Sequence, residues 1–477
     1  MSVTSGLPWP DALDTPDAQA PQGTPGEPSL RCVLVLALPP AERAWQSARA
    51  RSMAIKDVPS TSKHRSPVQP EGGRRRPALV CALPRPVAIA LPDSGTLIGR
   101  SWLAERGLAD SEVSTRHLRI DRAGGALRVA DVGSSNGTWV NGSRLAPRDL
   151  TPLEDGAVLR LGRTIFVYRE ELHGPFEPAP PVGKLVGPYG LRTVAQGVSG
   201  LPRSRPANVL IEGETGVGKE LVARAAAAAL GRETPFAAVN VAGIARGVFE
   251  SQMFGHVAGA FSDARSAAPG LVVAHDGGTL FLDEIGELDK DLQAKLLRLL
   301  ENREVLPVGA QRPTLVNVLV VAATNRDLEE MVERDAFRRD LFARLAMARI
   351  HIPALRDRCE DIFSVACELV RRAGGSLTAE QVEVEAVERL LLEPWQGNVR
   401  ELDAALAAVR RLDPEPGLRM WAVEEVLGKA RGHKAALTQE VVDAAIEEAG
   451  GNVSAAAEKL GVSRGKLLRF RKLTKTK

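Results

Sequence analysis

GETGVGKE, Gly213 to Glu220, stands directly behind the apolar run Val209-Leu210-Ile211, which reads as a buried parallel strand. It fits the phosphate-binding pattern G-x-x-x-x-G-K in the strand-to-helix context that gives the pattern meaning. Gly213, Gly216 and Gly218 let backbone N–H groups wrap phosphates, the following helix presents its positive end, and Lys219 can reach the β and γ phosphates. Glu214, Thr215 and Val217 complete the loop. Glycines alone could make an ordinary strand-to-helix turn, so a second run, GGTLFLDE from Gly277 to Glu284, carries the decision. There Leu280-Phe281-Leu282 reads as another buried strand, ending in two carboxylates. Asp283 can hold Mg²⁺, and Glu284 can orient or deprotonate a water that attacks the γ-phosphate. The two runs together predict ATP hydrolysis on an α/β core.

The residue after Lys219 is Glu220, where many such loops carry a Ser or Thr hydroxyl for the metal. With Glu220 there, more of the metal shell is expected to be water. At this position the chain resembles one branch of the AAA+ ATPases, the bacterial enhancer-binding activators of sigma-54 RNA polymerase, and the resemblance extends from about Val186 to Lys477. FESQMFGHVAGAFSDA, Phe249 to Ala264, is similar to the family's ELFGHxxGAFTGA segment, whose loop contacts sigma-54. AATNRDL, Ala322 to Leu328, resembles the sensor I segment and implies that Asn325 reads the γ-phosphate. FRRDLFARL, Phe337 to Leu345, resembles FRxDLYYRL and implies that Arg338 and Arg344 are arginine fingers acting across a subunit boundary. PWQGNVREL, Pro394 to Leu402, resembles PWPGNVREL and makes Arg400 the sensor II arginine of a helical lid. Asn240, in FAAVN, matches the family Asn that restrains the catalytic Glu.

That layout has a physical logic. Phosphoryl transfer spreads charge over the γ-phosphate oxygens, and a guanidinium from a neighbouring subunit can neutralise it. An isolated exposed arginine is ordinarily a solvated ion pair; within this motif the resemblance implies a homo-oligomer, a hexameric ring when active. The presumed sigma-54 contact departs from the family, reading Gly259-Ala260-Phe261-Ser262-Asp263-Ala264. Ser262 keeps the hydroxyl, Asp263 adds a charge and a Cβ in place of glycine, and Phe261 stays as an exposed apolar tip.

From Pro77 to Leu172, short apolar runs alternate with Gly, Asp, Asn and Pro, the pattern of an all-β sandwich. The runs are Leu79 to Cys81, Val87 to Ala90, Leu118 to Ile120, Leu127 to Val129 and Thr164 to Tyr168. Such a sandwich needs only one face of each strand buried. Its loops hold LIGR (Leu97 to Arg100), VSTRH (Val113 to His117) and DVGSSNGTWVNG (Asp131 to Gly142), which resemble the forkhead-associated (FHA) domain, a phosphothreonine-peptide binder. Arg100 offers a fork to phosphate, Ser114 and Ser135 offer hydroxyls, Asn136 can grip the peptide backbone, and Thr115 or Arg116 adds a donor. His117 reads as structural. A sandwich used for subunit packing without a phosphate ligand is the plain alternative.

At the other end, EEAGGNVSAAAEKLGVSRGKLLRFRK, Glu447 to Lys472, reads as helix, turn and helix, with Gly461 at the turn and Ser463 capping the second helix. Leu467 and Phe470 pack inward, leaving Arg464, Lys466, Arg469 and Arg471 for DNA. Residues 431–477 hold ten Lys or Arg against five Asp or Glu, a balance that attracts phosphate. The segment resembles the Fis-type helix-turn-helix and implies enhancer DNA as a partner.

HGPFEPAPPVGK, His173 to Lys184, reads as a semi-stiff linker between sensor and motor. Apolar spacing in Glu380 to Leu392 and Glu401 to Leu412 fits amphipathic lid helices, and Gly432 to Ala436 reads as a hinge. The first 76 residues are rich in Pro, Ala, Ser and charge and read as disordered; Met53 could start the chain without touching any module. Their one apolar run, Cys32 to Leu38, is too short for a bilayer, and no secretory signal is visible. A length of 477 residues with 44% hydrophobic content favours about three folded units, and a net charge of +3 decides nothing. Cys32, Cys81, Cys359 and Cys367 lack C-x-x-C spacing, so reduced thiols in the cytoplasm are expected.

The expected organisation is an extension over 1–76, an FHA-like sandwich over 77–172, a linker over 173–186, an AAA+ α/β unit over 187–357, its helical lid over 358–430 and a helix-turn-helix over 431–477. The expected function is ATP-driven, FHA-regulated activation of sigma-54 polymerase on DNA. A phosphothreonine-containing protein is the expected regulator, with ATP and Mg²⁺ as cofactors and no membrane partner. The competing expectation is a phosphopeptide- and DNA-binding adaptor whose ATPase only switches oligomerisation, with Asp263 disabling the sigma-54 contact.

Overall fold

A computed structural model describes residues 76–428, apart from 124–125, 173, 245 and 262–263. The readings made for the N-terminal extension, the hinge and the helix-turn-helix, including Ser463, Arg464, Lys466, Arg469 and Arg471, lie outside the described residues, as do Ser262 and Asp263.

The first unit is an antiparallel sandwich. Strands β1 (Arg76–Leu83), β2 (Val87–Ala90), β3 (Thr96–Ile98), β4 (Leu118–Ala123), β5 (Ala126–Asp131), β6 (Thr138–Val140), β7 (Ser143–Arg144), β8 (Thr151–Leu153), β9 (Val158–Leu161) and β10 (Thr164–Leu172) form it, with one short helix, α1 (Arg100–Ala104). They make a six-stranded sheet in the order β2-β1-β10-β9-β6-β7 and a four-stranded sheet in the order β3-β4-β5-β8. Leu79, Cys81, Ile98, Leu118, Ile120, Val129, Leu159, Leu161 and Phe166 fill the space between them.

The motor is a five-stranded parallel sheet in the order β12-β15-β18-β11-β19, built from β11 (Asn208–Glu212), β12 (Phe236–Asn240), β15 (Thr279–Asp283), β18 (Leu319–Thr324) and β19 (Arg349–His351). Two small hairpins accompany it: β13 (Gly255–His256) with β14 (Ala268–Pro269), and β16 (Glu304–Val305) with β17 (Thr314–Leu315). Helices α2 (Arg192–Ser204), α3 (Lys219–Ala229), α4 (Arg246–Phe254), α5 (Leu271–Ala274), α6 (Lys290–Asn302), α7 (Leu328–Glu333) and α8 (Arg339–Leu345) cover the two faces. The three central strands, β11, β15 and β18, are short apolar runs buried almost throughout, as a doubly covered parallel sheet requires, while the edge strands β12 and β19 alternate buried with exposed positions. The lid holds α9 (Ile362–Arg372), α10 (Val384–Leu391), α11 (Asn398–Leu412) and α12 (Met420–Leu427). The amphipathic stretch expected from Glu380 starts with a 3₁₀ turn, Ala379–Gln381, before α10 begins.

Two expectations change. Sandwich strands were expected to bury one face, yet β1, β9 and β10 are buried at consecutive positions, because the outer face of the six-stranded sheet is covered by the lid. Ala82, Leu83, Val158, Ile165 and Val167 share one core with Leu355, Ile362, Phe363, Ala366, Val387 and Leu391. Fully burying each such aliphatic side chain contributes about 1.5–3 kcal/mol. The segment expected to space sensor from motor is also packed down. Val182 and Leu185 are buried against α2 and α3, while Tyr189 accepts the Ala88 N–H at 2.8 Å and donates to Phe176 O at 3.2 Å.

Polar contacts cross the same sandwich–lid boundary. Arg160, on β9, pairs with Glu388 at 2.8 Å and Glu385 at 2.9 Å on α10, with the Arg160 and Glu388 side chains 8% and 6% exposed. Arg169, on β10, bonds Glu360 and the Asp357 carbonyl in the turn that opens the lid. Burial pushes the Cys81 and Cys359 thiols up to about 12, so both are inert. No helix among the described residues is long and apolar enough to cross a membrane.

Candidate functional site

The Gly213–Glu220 loop joins β11 to α3. Gly216 has φ +85°, and a Cβ there would stand 2.2 Å from the carbonyl oxygen of Gly397 in the lid, so glycine is required twice over. Val217 is buried in the motor core. Lys219 opens α3 with its side chain 5% exposed; its Nζ lies 3.2 Å from Gly213 O, 3.3 Å from Glu284 Oε1 and 3.9 Å from Asp283 Oδ1. Both carboxylates reach it from the end of β15. Glu284 takes up φ +57°, ψ +47°, a left-handed conformation that costs a residue with a side chain, and its N–H donates to Asp283 Oδ1 at 3.0 Å. Burial raises the Asp283 carboxyl above the ordinary carboxylate value, against the pull of Lys219 and Arg400.

The lid closes on this loop. The N–H of Val399 donates to Gly216 O at 3.1 Å, Asn398 Nδ2 donates to Thr215 O at 3.1 Å and to Glu214 at 3.0 Å, and the Arg400 Cβ stands over Gly216. Arg356 pairs with Glu214 and holds its carboxyl below the usual range. Asn325, just past β18, donates to the Thr215 hydroxyl at 3.2 Å. The structure therefore gathers Glu214, Thr215, Gly216, Lys219, Asp283, Glu284, Asn325 and Arg400 around one loop.

The side chains of the other candidates take partners outside this cluster. Glu220 turns to Arg224 at 2.8 Å on the surface of α3. Asn240 registers beside Asp283, and its side-chain oxygen accepts the Ala242 N–H at 3.0 Å. Arg338 pairs with Asp340 at 2.7 Å and Arg344 with Glu301 at 3.2 Å, all four side chains well exposed. Arg356 and Asn398 were missed by sequence reasoning, which had no signal for them beyond their place next to recognised motifs.

The segment holding Gly259 to Phe261 and Ala264 lies between β13 and β14. Gly259 N–H donates to Ala264 O at 2.8 Å and Ala264 N–H to Phe261 O at 3.0 Å, while Ala260 N–H donates to Val257 O at 3.2 Å. Phe261 is 44% exposed, with its ring centroid 4.9 Å from that of His256. The Val257 N–H donates to Val308 O, tying the loop to the neighbouring hairpin.

At the sandwich edge, exposed Arg100 donates to Val113 O at 3.0 Å and Ser111 O at 3.1 Å. Ser114 Oγ accepts the Ser135 N–H at 3.1 Å and lies 3.4 Å from Ser135 Oγ, while Asn136 Nδ2 donates to Glu112 O at 2.8 Å. Thr115 and Arg116 are exposed beside them. His117 is fully buried. Its Nδ1 accepts the Ser114 N–H at 3.1 Å, so the neutral ring carries its proton on Nε2 and donates to Gly137 O at 3.1 Å. Burial lowers the His117 pKa, and the ring holds both loops together rather than meeting a ligand. Arg100, Ser114, Thr115, Ser135 and Asn136 are thus brought to one edge.

Comparison with known proteins matches a domain family to each of three stretches of the chain. Residues 191–351 match the sigma-54 interaction domain. The chain carries a sigma-54 interaction domain. Residues 96–162 match the FHA domain, and residues 436–472 match the Fis family of bacterial regulatory proteins. The regulatory protein LuxO of Vibrio cholerae is 45% identical over 240 residues, covering 49% of this chain and 45% of LuxO. The DNA-binding transcriptional regulator NtrC of Rhizobium meliloti is 39% identical over 243 residues, covering 50% and 48%. The transcriptional regulatory protein ZraR of Escherichia coli is 38% identical over 274 residues, covering 55% and 62%. The chain spans less than two thirds of each of these relatives.

Proposed function

We propose that this chain is an ATP-hydrolysing, DNA-bound activator of sigma-54 RNA polymerase in the cytoplasm, regulated through a phosphothreonine-containing partner. The observation that carries the reading is Lys219, held within 3.9 Å of both Asp283 and Glu284 while the lid's Arg400 stands over Gly216. Bound ATP would replace the carboxylates as the partner of Lys219. That exchange would free Asp283 for Mg²⁺ and Glu284 for a water in line with the γ-phosphate. Glu220 faces away, and no group of three or more His, Cys, Asp or Glu among the described residues converges on a metal. Asp283 at the end of β15 would hold Mg²⁺ together with phosphate oxygens and water, the shell this small cation favours.

Arg338 and Arg344 lie in exposed pairs of the kind that contribute about 0–1 kcal/mol, so a neighbouring subunit's γ-phosphate could recruit them at little cost. This supports a hexameric ring in which the exposed Phe261 tip meets sigma-54. The sigma-54 interaction domain match runs through Gly259–Ala264, which favours that reading over an adaptor whose ATPase only switches assembly. At the sandwich edge, Arg100 with Ser114, Ser135 and Asn136 would take the phosphothreonine, and the Fis-type segment would take enhancer DNA.

The test is binding of the full chain to purified sigma-54 with ADP and with ADP–aluminium fluoride, alongside Phe261→Ala and Lys219→Ala. Retention with the transition-state analogue alone, lost in both variants, supports the proposal. A chain that hydrolyses ATP and never binds sigma-54 refutes it.

A further inference from the structure

The phosphopeptide edge and the nucleotide lid share one turn. Asp110, at the root of the recognition loop, is 7% exposed and points inward. Its Oδ2 accepts the Arg163 N–H at 2.8 Å and the Thr164 hydroxyl at 2.8 Å, and its Oδ1 accepts the Glu112 N–H at 2.9 Å. Gly162 lies against the same carboxylate, where a Cβ would stand 3.0 Å from Oδ2. The residues directly after Asp110 hold the ligand groups: Ser111 O and Val113 O fix Arg100, and Glu112 O fixes Asn136. The β9–β10 turn is therefore the floor of the recognition loop.

The other side of that turn is bolted to the lid. Arg163 Nη2 donates to Val382 O at 3.0 Å and Ala379 O at 3.1 Å, just ahead of α10, and Arg160 at the turn's near end pairs with Glu385 and Glu388 on α10 itself. From α10 the lid runs straight to the phosphate loop. Trp395, fully buried, donates from Nε1 to Leu390 O at 2.8 Å, and the next residues bring Gly397, Asn398, Val399 and Arg400 onto Thr215 and Gly216.

We propose that the segment Arg160–Thr164 couples the two sites, with Arg163 as the positioning residue through which phosphopeptide occupancy biases the lid over ATP. The inference rests on the phosphopeptide and ATP readings above. Ordering of Ser111–Val113 by a ligand is felt at Asp110, then at the backbone of Arg163, whose guanidinium is fixed to the lid. Coupling between two ligands is reciprocal, so the nucleotide state must alter phosphopeptide affinity by the same factor. That reciprocity is the measurable signature of the coupling.

The experiment uses the full chain and a fluorescent pool of phosphothreonine peptides with degenerate flanks, the unphosphorylated pool serving as control. Peptide affinity is measured with ADP and with ADP–aluminium fluoride, and nucleotide affinity with and without peptide. The parent should show a factor of roughly five or more, equal in both directions. Arg163→Ala should bring that factor close to one while keeping nucleotide-free peptide affinity and basal hydrolysis within about two-fold. Arg163→Lys, which keeps a donor to the lid carbonyls, should recover part of the factor, and Thr164→Val should weaken it from the recognition-loop side. A full factor in Arg163→Ala, or none in a parent chain that binds the pool, overturns the coupling alone. A parent that binds the pool no better than Arg100→Ala defeats the phosphopeptide reading, and the inference falls with it.

Discussion

Replacing Arg160 by alanine tests whether the sandwich is built onto the lid. The change removes the cation from Glu388, whose side chain is 6% exposed and which keeps only the nearby Gly142 backbone to stabilise its charge. Removing one member of a buried pair costs about 3–5 kcal/mol, because the other charge stays buried and uncompensated. The guanidinium also stacks 4.3 Å above the Trp139 ring, so alanine loses packing as well. At about 2–4 °C per kcal/mol for units of this size, the melting temperature should fall by roughly 6–20 °C.

The loss should depend on pH. Burial already raises the Glu388 carboxyl, and Arg160 pulls it down. Without Arg160 the folded pKa rises further above the unfolded value, so the protonated variant is the most stable one. Its stability then falls as pH climbs through the folded pKa. The penalty should be smaller at pH 5 than at pH 8 by calorimetry or denaturant titration. The companion Arg160→Met/Glu388→Leu should be neutral or up to about 4 kcal/mol more stable, since it removes both charges at once. A loss for Arg160→Ala below about 1 kcal/mol with no pH slope is the behaviour of a solvated surface pair, and would refute the buried interface.

Other outcomes follow from single contacts. Glu220→Ala should leave Mg-ATP affinity and turnover unchanged and cost only the about 0.3–0.5 kcal/mol of an exposed helical pair; a ten-fold loss of Mg²⁺ affinity would place Glu220 in the metal shell instead. Gly99→Ala puts a Cβ 1.9 Å from the carbonyl oxygen of Thr115, so the sandwich should lose about 1–3 kcal/mol and phosphopeptide affinity with it; a variant that melts and binds like the parent would show that the loop yields freely. His117 has a folded pKa below its unfolded value, so its contribution is complete above about pH 6.5 and is lost as pH falls below that, where the unfolded chain takes up the proton first. The slope of melting temperature between pH 7 and pH 5 should accordingly be shallower in His117→Gln than in the parent.

Much of the motor and the sandwich edge was legible in the sequence, because each depends on short contiguous runs. Val209-Leu210-Ile211 followed by glycines and Lys219 specifies strand, turn and helix within a dozen positions, and Leu280 to Glu284 specifies a strand with its chemistry at the tip. His117 read as structural from its place beside Ser114, and its two hydrogen bonds do that work. The direction of Glu220 was not legible, since its choice of Arg224 over the metal depends on helix geometry. Nor was the sandwich–lid boundary. Arg160, Arg163 and Arg169 are three arginines among many, and their partners lie 188 to 228 positions away. One signal was available in retrospect. β1 and β10 read as continuous apolar runs rather than alternating ones, which marks a sheet covered on both faces.

That double covering limits how the lid can move. One end of the lid, Asn398 to Arg400, meets the phosphate loop through Thr215 and Gly216, while α9 and α10 meet the sandwich through Phe363, Val387 and Leu391. A change in lid angle driven by the γ-phosphate could slide α9 and α10 across the sheet. Sliding would expose Ile165, Val167 and Leu83 at about 25 cal/mol per Å² and would pull Glu388 from Arg160. Alternatively the sandwich could travel with the lid, breaking instead the Ala88 to Tyr189 hydrogen bond and the apolar contact of Tyr189 with Ala78, Val80 and Ala88. One neutral hydrogen bond is worth about 0.5–1.5 kcal/mol, and with that small apolar cluster it amounts to less than a buried ion pair and an apolar sheet face. The cheaper motion is the one in which the sandwich rides on the lid, so each lid angle would carry the edge that holds Arg100, Ser114 and Asn136 to a different place relative to the parallel sheet.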